Sequence, residues 1–374
     1  MTTDFQPALA LPIGKRDWNN GLCDRLEFML TYYSELQKYG WTFGVDCKGN
    51  IGNPAEGKAL DDWFIELAEK VNTAGGKVFW HPSIYPVPYC LEMTETIGQW
   101  MDSARAAHEK FNLRWINLHA GAAQYTNPAP NGPDRFNLNM TARELVECID
   151  AHIEPIRLMN ERSGEILTIE NVHPYLFYEG IDASEYWVYN AQSIGSWYDL
   201  VYLKEETGVA CCVDIEHYLG ANAFYNRYRH SEFENLPVWE SDEYDDDDKA
   251  LQYRADIYVK PGYIPMADHD VDLETYLITA EPKLLHLGTT GPAIVDGLCG
   301  DHLEFHIENE IESDLLFMQL VNAEENQADC VIESVSQTEG GFNWSPNGRS
   351  TDSNQAKYNS FLAVLKILKE LHCG

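Results

Sequence analysis

Basic residues are scarce in this chain: 26 Lys and Arg stand against 60 Asp and Glu, a formal net charge of −34 over 374 residues. That balance repels polyanions, and no local cluster of Lys and Arg offsets it, so a DNA- or RNA-binding surface is disfavoured. No apolar run approaches the roughly 20 residues that a membrane span needs. The N-terminal stretch MTTDFQPALALPIGKRDW puts Asp4 ahead of its apolar segment and has no basic n-region, so it does not read as a signal peptide. Nine cysteines, an odd count, form no CxxC pair. Reduced, buried thiols in a cytoplasmic protein explain them better than a disulfide framework. Internal repeats and an interdomain linker are also lacking, which leaves one domain over residues 1–374.

What is present is an even supply of apolar residues, 44% of the chain, in a repeating pattern. Short β-branched or aromatic runs alternate with longer amphipathic stretches, the rhythm of parallel βαβ units. The runs PALALPIG, WTFGVD, KVFWHPSIY, RWINLHAGA, EILTIENVH, VACCVDIEH, KLLHLGTT and DCVIESV read as strands. Between them DRLEFMLTYYSELQKYG, LDDWFIELAEKVNTAGG, TETIGQWMDSARAAHEKFNL, TARELVECIDAHIEPIRLMNERSG, AQSIGSWYDLVYLKEETG and IESDLLFMQLVNAEE read as helices, and AKYNSFLAVLKILKELH closes the chain. About eight strand–helix units are what a (β/α)8 TIM barrel needs. An aromatic and acidic segment, 218–280, interrupts the rhythm as an insertion, either a lid on the barrel mouth or a contact between copies of the chain. Its run DEYDDDDK (242–249) reads as a solvated loop.

The ionisable residues fall in a telling place. Successive apolar runs end in a side chain able to bind a metal: His81, His119, Glu170, Asp214 with His217, His286 and Glu333. In a barrel all strand C-termini converge on one face, so these residues meet in one pocket. Imidazoles and carboxylates suit zinc, manganese or iron. Any one of them alone reads more simply as a hydrogen-bonded structural residue or a helix cap. Together they are costly to bury without cations.

These residues resemble the xylose isomerase-like barrels, and within them the endonuclease IV branch. HPSIY is similar to that branch's third-strand histidine segment, NLHAGA to its fourth, TIEN to its strand-five glutamate motif and VDIEH to its aspartate-x-x-histidine motif. LLHLG and VIES resemble its seventh-strand histidine and final glutamate. The resemblance implies two or three divalent ions. One is held by His81, His119 and Glu170, and a second by Glu170 as a bridge with Asp214, His286 and Glu333. A third is held by His217, Asp301 and His302. Asp301 and His302 are adjacent where the family spaces them by one residue, which makes His306 a rival for His302, and HIENEI replaces the family's glycine-rich stretch.

Two activities follow from the resemblance. Ions a few ångströms apart hydrolyse a phosphoester, with a small sugar-like or nucleotide-like substrate favoured by the acidic charge. A single ion on Glu170, Asp214, His286 and Glu333 instead serves a sugar isomerase or epimerase, with Glu170 and Glu333 exchanging a proton with substrate carbon. Iron-dependent redox chemistry, an abasic-site endonuclease and a binding protein without catalysis rank lower. His81 and His119 favour several ions over one. Around them Asn171 is expected to orient water or substrate, and Arg135 and Arg349 to offer anion contacts. Tyr186, Trp187, Trp197, Tyr218, Phe224, Tyr225, Tyr228 and Trp239 either stack on a sugar or pack helices onto the barrel.

Overall fold

The computed structural model describes residues 5–19, 24–53, 56–82, 95–119, 125–128, 134–136, 150–171, 175–178, 186–189, 197–219, 272–289, 303–334 and 352–373. Eight parallel strands close into a barrel. They are β1 (Ala8–Gly14), β2 (Thr42–Lys48), β3 (Lys77–His81), β4 (Leu113–His119), β5 (Leu167–Glu170), β6 (Ala210–Asp214), β7 (Leu284–Leu287) and β8 (Asp329–Ile332). Among the described residues the surrounding helices are α1 (Lys15–Asn19), α2 (Asp24–Lys38), α3 (Asp62–Thr73), α4 (Glu95–Phe111), α5 (Ile153–Ser163), α6 (Trp197–Thr207), α7 (Leu273–Ala280), α8 (Glu310–Asn326) and α9 (Ser353–Cys373). Two short antiparallel ribbons, Tyr125–Pro128 with Asp134–Phe136 and Tyr175–Tyr178 with Tyr186–Tyr189, stand outside the barrel sheet.

Alternation along each strand sorts side chains into two cores. Leu9, Leu11, Phe43, Val45, Trp80, Ile169, Val213, Leu285 and Ile332 face outward into one large apolar layer shared with the helices. Ala8, Ala10, Phe79, Cys212, Leu284 and Val331 form a second, small cluster with Trp115 inside the barrel. Small residues on β1 leave room for Phe79 to cross the interior. Gly44 does the same, since a Cβ there would lie 2.6 Å from the Phe79 ring. Above this plug the same alternation turns polar: Asp46, Lys48, His81, Asn117, His119, Glu170, Asp214, His286 and Glu333 follow at the strand ends.

Helix boundaries have local causes. The side chain of Asp272 accepts from Thr275 N at 2.7 Å at the start of α7, and Asn309 caps α8 by accepting from Ile311 N at 2.9 Å. Gly164 ends α5 in the left-handed region with φ 92°.

The 218–280 insertion is shorter than the sequence pattern implies. Its last residues form α7, whose Leu273, Tyr276, Leu277 and Ala280 are buried in the helical ring, and Tyr218 stacks on Tyr276 at 5.3 Å between ring centres. Residues 220–271, with Phe224, Tyr225, Tyr228, Trp239 and the acidic run, lie outside the described residues. The strand read from VACCVDIEH stops at Asp214, and 215–219 turn helical. Cys47, Cys211, Cys212 and Cys330 are buried free thiols, whereas Cys373 is exposed. No helix among the described residues is long and apolar enough to cross a membrane.

Candidate metal centre

Strand register brings the donors together in pairs. His119 lies beside Glu170 across β4 and β5, Asp214 beside His286 across β6 and β7, and Lys48 beside His81 across β2 and β3. Glu170 is the hub and is fully buried. Its Oε1 lies 3.3 Å from His119 Nε2, 3.1 Å from His217 Nδ1 and 3.4 Å from His286 Nδ1. His286 Nδ1 is in turn 3.3 Å from Asp214 Oδ2 and 3.5 Å from Glu333 Oε2. His81 closes the ring, with Nε2 4.0 Å from Glu170 Oε2 and Nδ1 3.4 Å from Glu333 Oε1.

The spacings among Glu170, His119, His286, Asp214 and Glu333 fit a metal. Ligands about 2.0–2.2 Å from a tetrahedral ion stand roughly 3.3–3.6 Å from each other. Buried Glu170 Oε1 and His286 Nδ1 also have no hydrogen-bond partner within the protein, and a cation between them would complete both. Potential ligand atoms lie within 4.8 Å of one another in the groups His81–His286–Glu333, His81–His119–Glu170, Glu170–Cys212–His286 and Glu170–Asp214–His217.

Neighbouring groups hold the donors in place. Asp214 caps the 215–219 turn, its Oδ1 accepting from His217 N at 2.8 Å. That is the physical basis of the aspartate-x-x-histidine spacing: the cap residue and the third residue of the turn face the same site. Asn171 ties its amide to the end of β6, donating to Asp214 O at 2.9 Å and accepting from Asp214 N at 2.7 Å. Its carbonyl accepts from His217 Nδ1 at 2.8 Å, the backbone contact that fixes the tautomer of the ring. On the opposite side Asn117 donates to Glu170 Oε2, and Thr168 Oγ1 donates to Asn117 Oδ1 at 3.0 Å.

Electrostatics follow from this packing. Burial favours the protonated form of Glu170, yet His286 and His119 outweigh it and hold the carboxyl well below its usual range. Glu333 is likewise pushed up by burial and held well below by Lys48 and His286. Burial depresses His81, and the Lys48 ammonium depresses it further. Burial opposes a charge on His286, but Cys212, Glu170 and Glu333 raise it well above its usual range.

Sequence reasoning overlooked three residues. Asp46 and Lys48 alternate at the end of β2 in what reads as a plain strand, and Asn117 hides two residues before His119. Period-two spacing from a known strand end is the signal that finds all three. Of the residues read from the sequence, Asp301, His302 and Arg349 lie outside the described residues, as does the side chain of Arg135. His306, the rival to His302, pairs through Nε2 with Glu304 Oε1 at 2.9 Å, and no ligand group among the described residues includes it.

Similar solved structures cover nearly the whole chain. The chain is similar to xylose isomerase-like TIM barrels. A xylose isomerase domain protein from Planctomyces limnophilus shares 13% identity over 99% of both chains with a TM-score of 0.46. Endonuclease IV from Thermus thermophilus shares 14% identity, covering 97% of this chain and 100% of its own, with a TM-score of 0.43. A 3-keto-D-glucoside 4-epimerase from E. coli shares 12% identity over 91% and 94%, with a TM-score of 0.43. No family model matches the chain, and no curated protein matches it. At these identities and TM-scores the likenesses carry no argument, and the fold rests on the closed eight-stranded barrel itself.

Proposed function

We propose that this barrel is a metal-dependent hydrolase that cleaves a phosphoester of a small sugar-like or nucleotide-like substrate with the help of two or three divalent ions. The observation that carries the reading is a surplus of donors. His119, His217 and His286 all address Glu170 Oε1, while Asp214, Glu333 and His81 extend the set on either side. A four-coordinate ion takes four protein groups at most, and this mouth supplies more. Asp301 and His302 are assigned to the same centre on the resemblance alone. Zinc, manganese and iron match the donor types. Bound there, such ions supply Lewis acidity and activate water. The chain's own part is to aim Glu170 through Asn117, aim His217 through Asn171, and keep the carboxylates ionised.

The charge of −34 supports a small substrate over duplex DNA, and the buried reduced thiols support a cytoplasmic location. The single-ion sugar isomerase or epimerase keeps a foothold in one observation. His286 Nδ1 stands 3.3–3.5 Å from an oxygen of each of Asp214, Glu170 and Glu333, a complete four-donor set by itself.

Elemental analysis of the purified protein separates the readings. The hydrolase predicts more than one ion per chain, loss of an ion in His119→Ala, and phosphate release from small phosphoesters that stops with chelator. One ion per chain, retained in His119→Ala, with aldose–ketose interconversion and no phosphate release, establishes the isomerase instead. Efficient cleavage of an abasic duplex at moderate salt refutes the exclusion of DNA.

A further inference from the structure

Lys48 stands inside the ligand ring. Its position at the end of β2 is in register with His81 on one side and with Gly14 on the other. With no side chain at Gly14, the ammonium leans toward His81 and Glu333. It lies 3.0 Å from Asp46 Oδ2, contacts Glu333 Oε1, and lies 2.5 Å from His81 Nδ1. Its side chain is only 24% exposed.

An ammonium has three donors and no lone pair, and a neutral imidazole has one lone pair. In the Lys48–His81 contact Nδ1 therefore accepts, and Nε2 carries the hydrogen. Yet Nε2 is the nitrogen turned toward Glu170, and His81 belongs to the ligand group with His119 and Glu170. To serve an ion there Nε2 needs its lone pair, which moves the hydrogen to Nδ1. Two donors would then face each other across 2.5 Å. The other His81 group, with His286 and Glu333, is blocked as well, because Lys48 already sits against both His81 Nδ1 and Glu333.

We infer that Lys48 is an internal competitor for the His81 corner of the metal centre: the ammonium and an ion ligated by His81 occupy that corner in turn, not together. The inference rests on the metal-centre reading proposed above. It makes Lys48 a positioning residue that sets how many ions the centre holds, and how tightly.

The test is calorimetric titration of chelator-stripped protein with Zn2+ alone and with Mn2+ alone, with ion stoichiometry read by elemental analysis. Compared with wild type, Lys48→Met is expected to gain an ion, or to bind its weakest ion about tenfold or more tightly, because a like charge has left the site. Lys48→Met/His81→Ala should lose that gain. Lys48→Arg, which keeps the cation, should behave as wild type. Ion binding by wild type that is unchanged in Lys48→Met, or a gain that survives loss of His81, overturns the competition alone. If no variant and no wild-type sample binds either ion, the metal reading falls with it. Nitrogen NMR of the His81 ring gives a readout independent of affinity: the stripped wild type should carry its proton on Nε2, and a ring protonated on Nδ1 refutes the proposal.

Discussion

Gly288 follows β7 directly, two residues after His286, and a single added methyl group there should loosen the whole mouth. It does not sit in the left-handed region, so its need for glycine is steric. A Cβ would lie 2.2 Å from Glu216 Cγ and 2.8 Å from its Cδ. The glycine is pinned, since its N donates to Gln319 Oε1 at 3.2 Å and its O accepts from Gln319 Nε2 at 3.0 Å. Glu216 must therefore move in Gly288→Ala, and its Oε1 leaves Thr289 N, which it now holds at 2.9 Å. Overpacking costs about 1–3 kcal/mol, and a buried N–H left without its acceptor about 1–3 kcal/mol. The stiffer unfolded chain returns about 0.4–1 kcal/mol. The net loss should be about 1–5 kcal/mol, read as a lower urea midpoint at unchanged slope. Because Glu216 stands between Asp214 and His217, ion affinity should also fall, by about 10–100-fold. Glu216→Ala removes the obstructing carbons. The double variant should then be little worse than Glu216→Ala alone, a coupling of about 1–3 kcal/mol. A Gly288→Ala protein within about 0.5 kcal/mol of wild type, or strictly additive single effects, would refute the steric account.

Asn117→Leu removes the donor to Glu170 Oε2; zinc affinity measured against a chelating dye should drop about 10–100-fold, and an unchanged affinity would remove Asn117 from the site. At the opposite end of the barrel, burial raises the Asp329 carboxyl from 3.8 to about 6 against the opposing pull of Arg114, whose Nε lies 2.8 Å away. A carboxyl raised on folding binds its proton more tightly in the folded state, so its stabilising contribution is full below about pH 4 and is lost as pH rises through 6. The shift corresponds to about 3 kcal/mol. Urea midpoints of wild type should therefore fall relative to Asp329→Asn between about pH 4 and 6.5, and parallel profiles would show the carboxyl titrating normally.

Much of this protein is legible in one dimension because strands and helices leave periodic marks. The eight apolar runs, their order, and the donors His81, His119, Glu170, Asp214, His286 and Glu333 follow from a single rule, that parallel strands in a closed barrel end on one face. Other features depend on contacts that no local pattern records. Asp46 and Lys48 look like ordinary strand residues until β2 is set beside β3, and only that register brings an ammonium to His81. Asn171 reads only as a neighbour of Glu170 until β6 is set beside β5, which brings Asp214 to both ends of its amide. Glu216 and Gly288 lie 72 residues apart in sequence, and their contact exists only because β6 and β7 are neighbours. Periodicity determines which residues face inward; the closed sheet alone decides which of them meet, since register and close packing arise between strands and not along them.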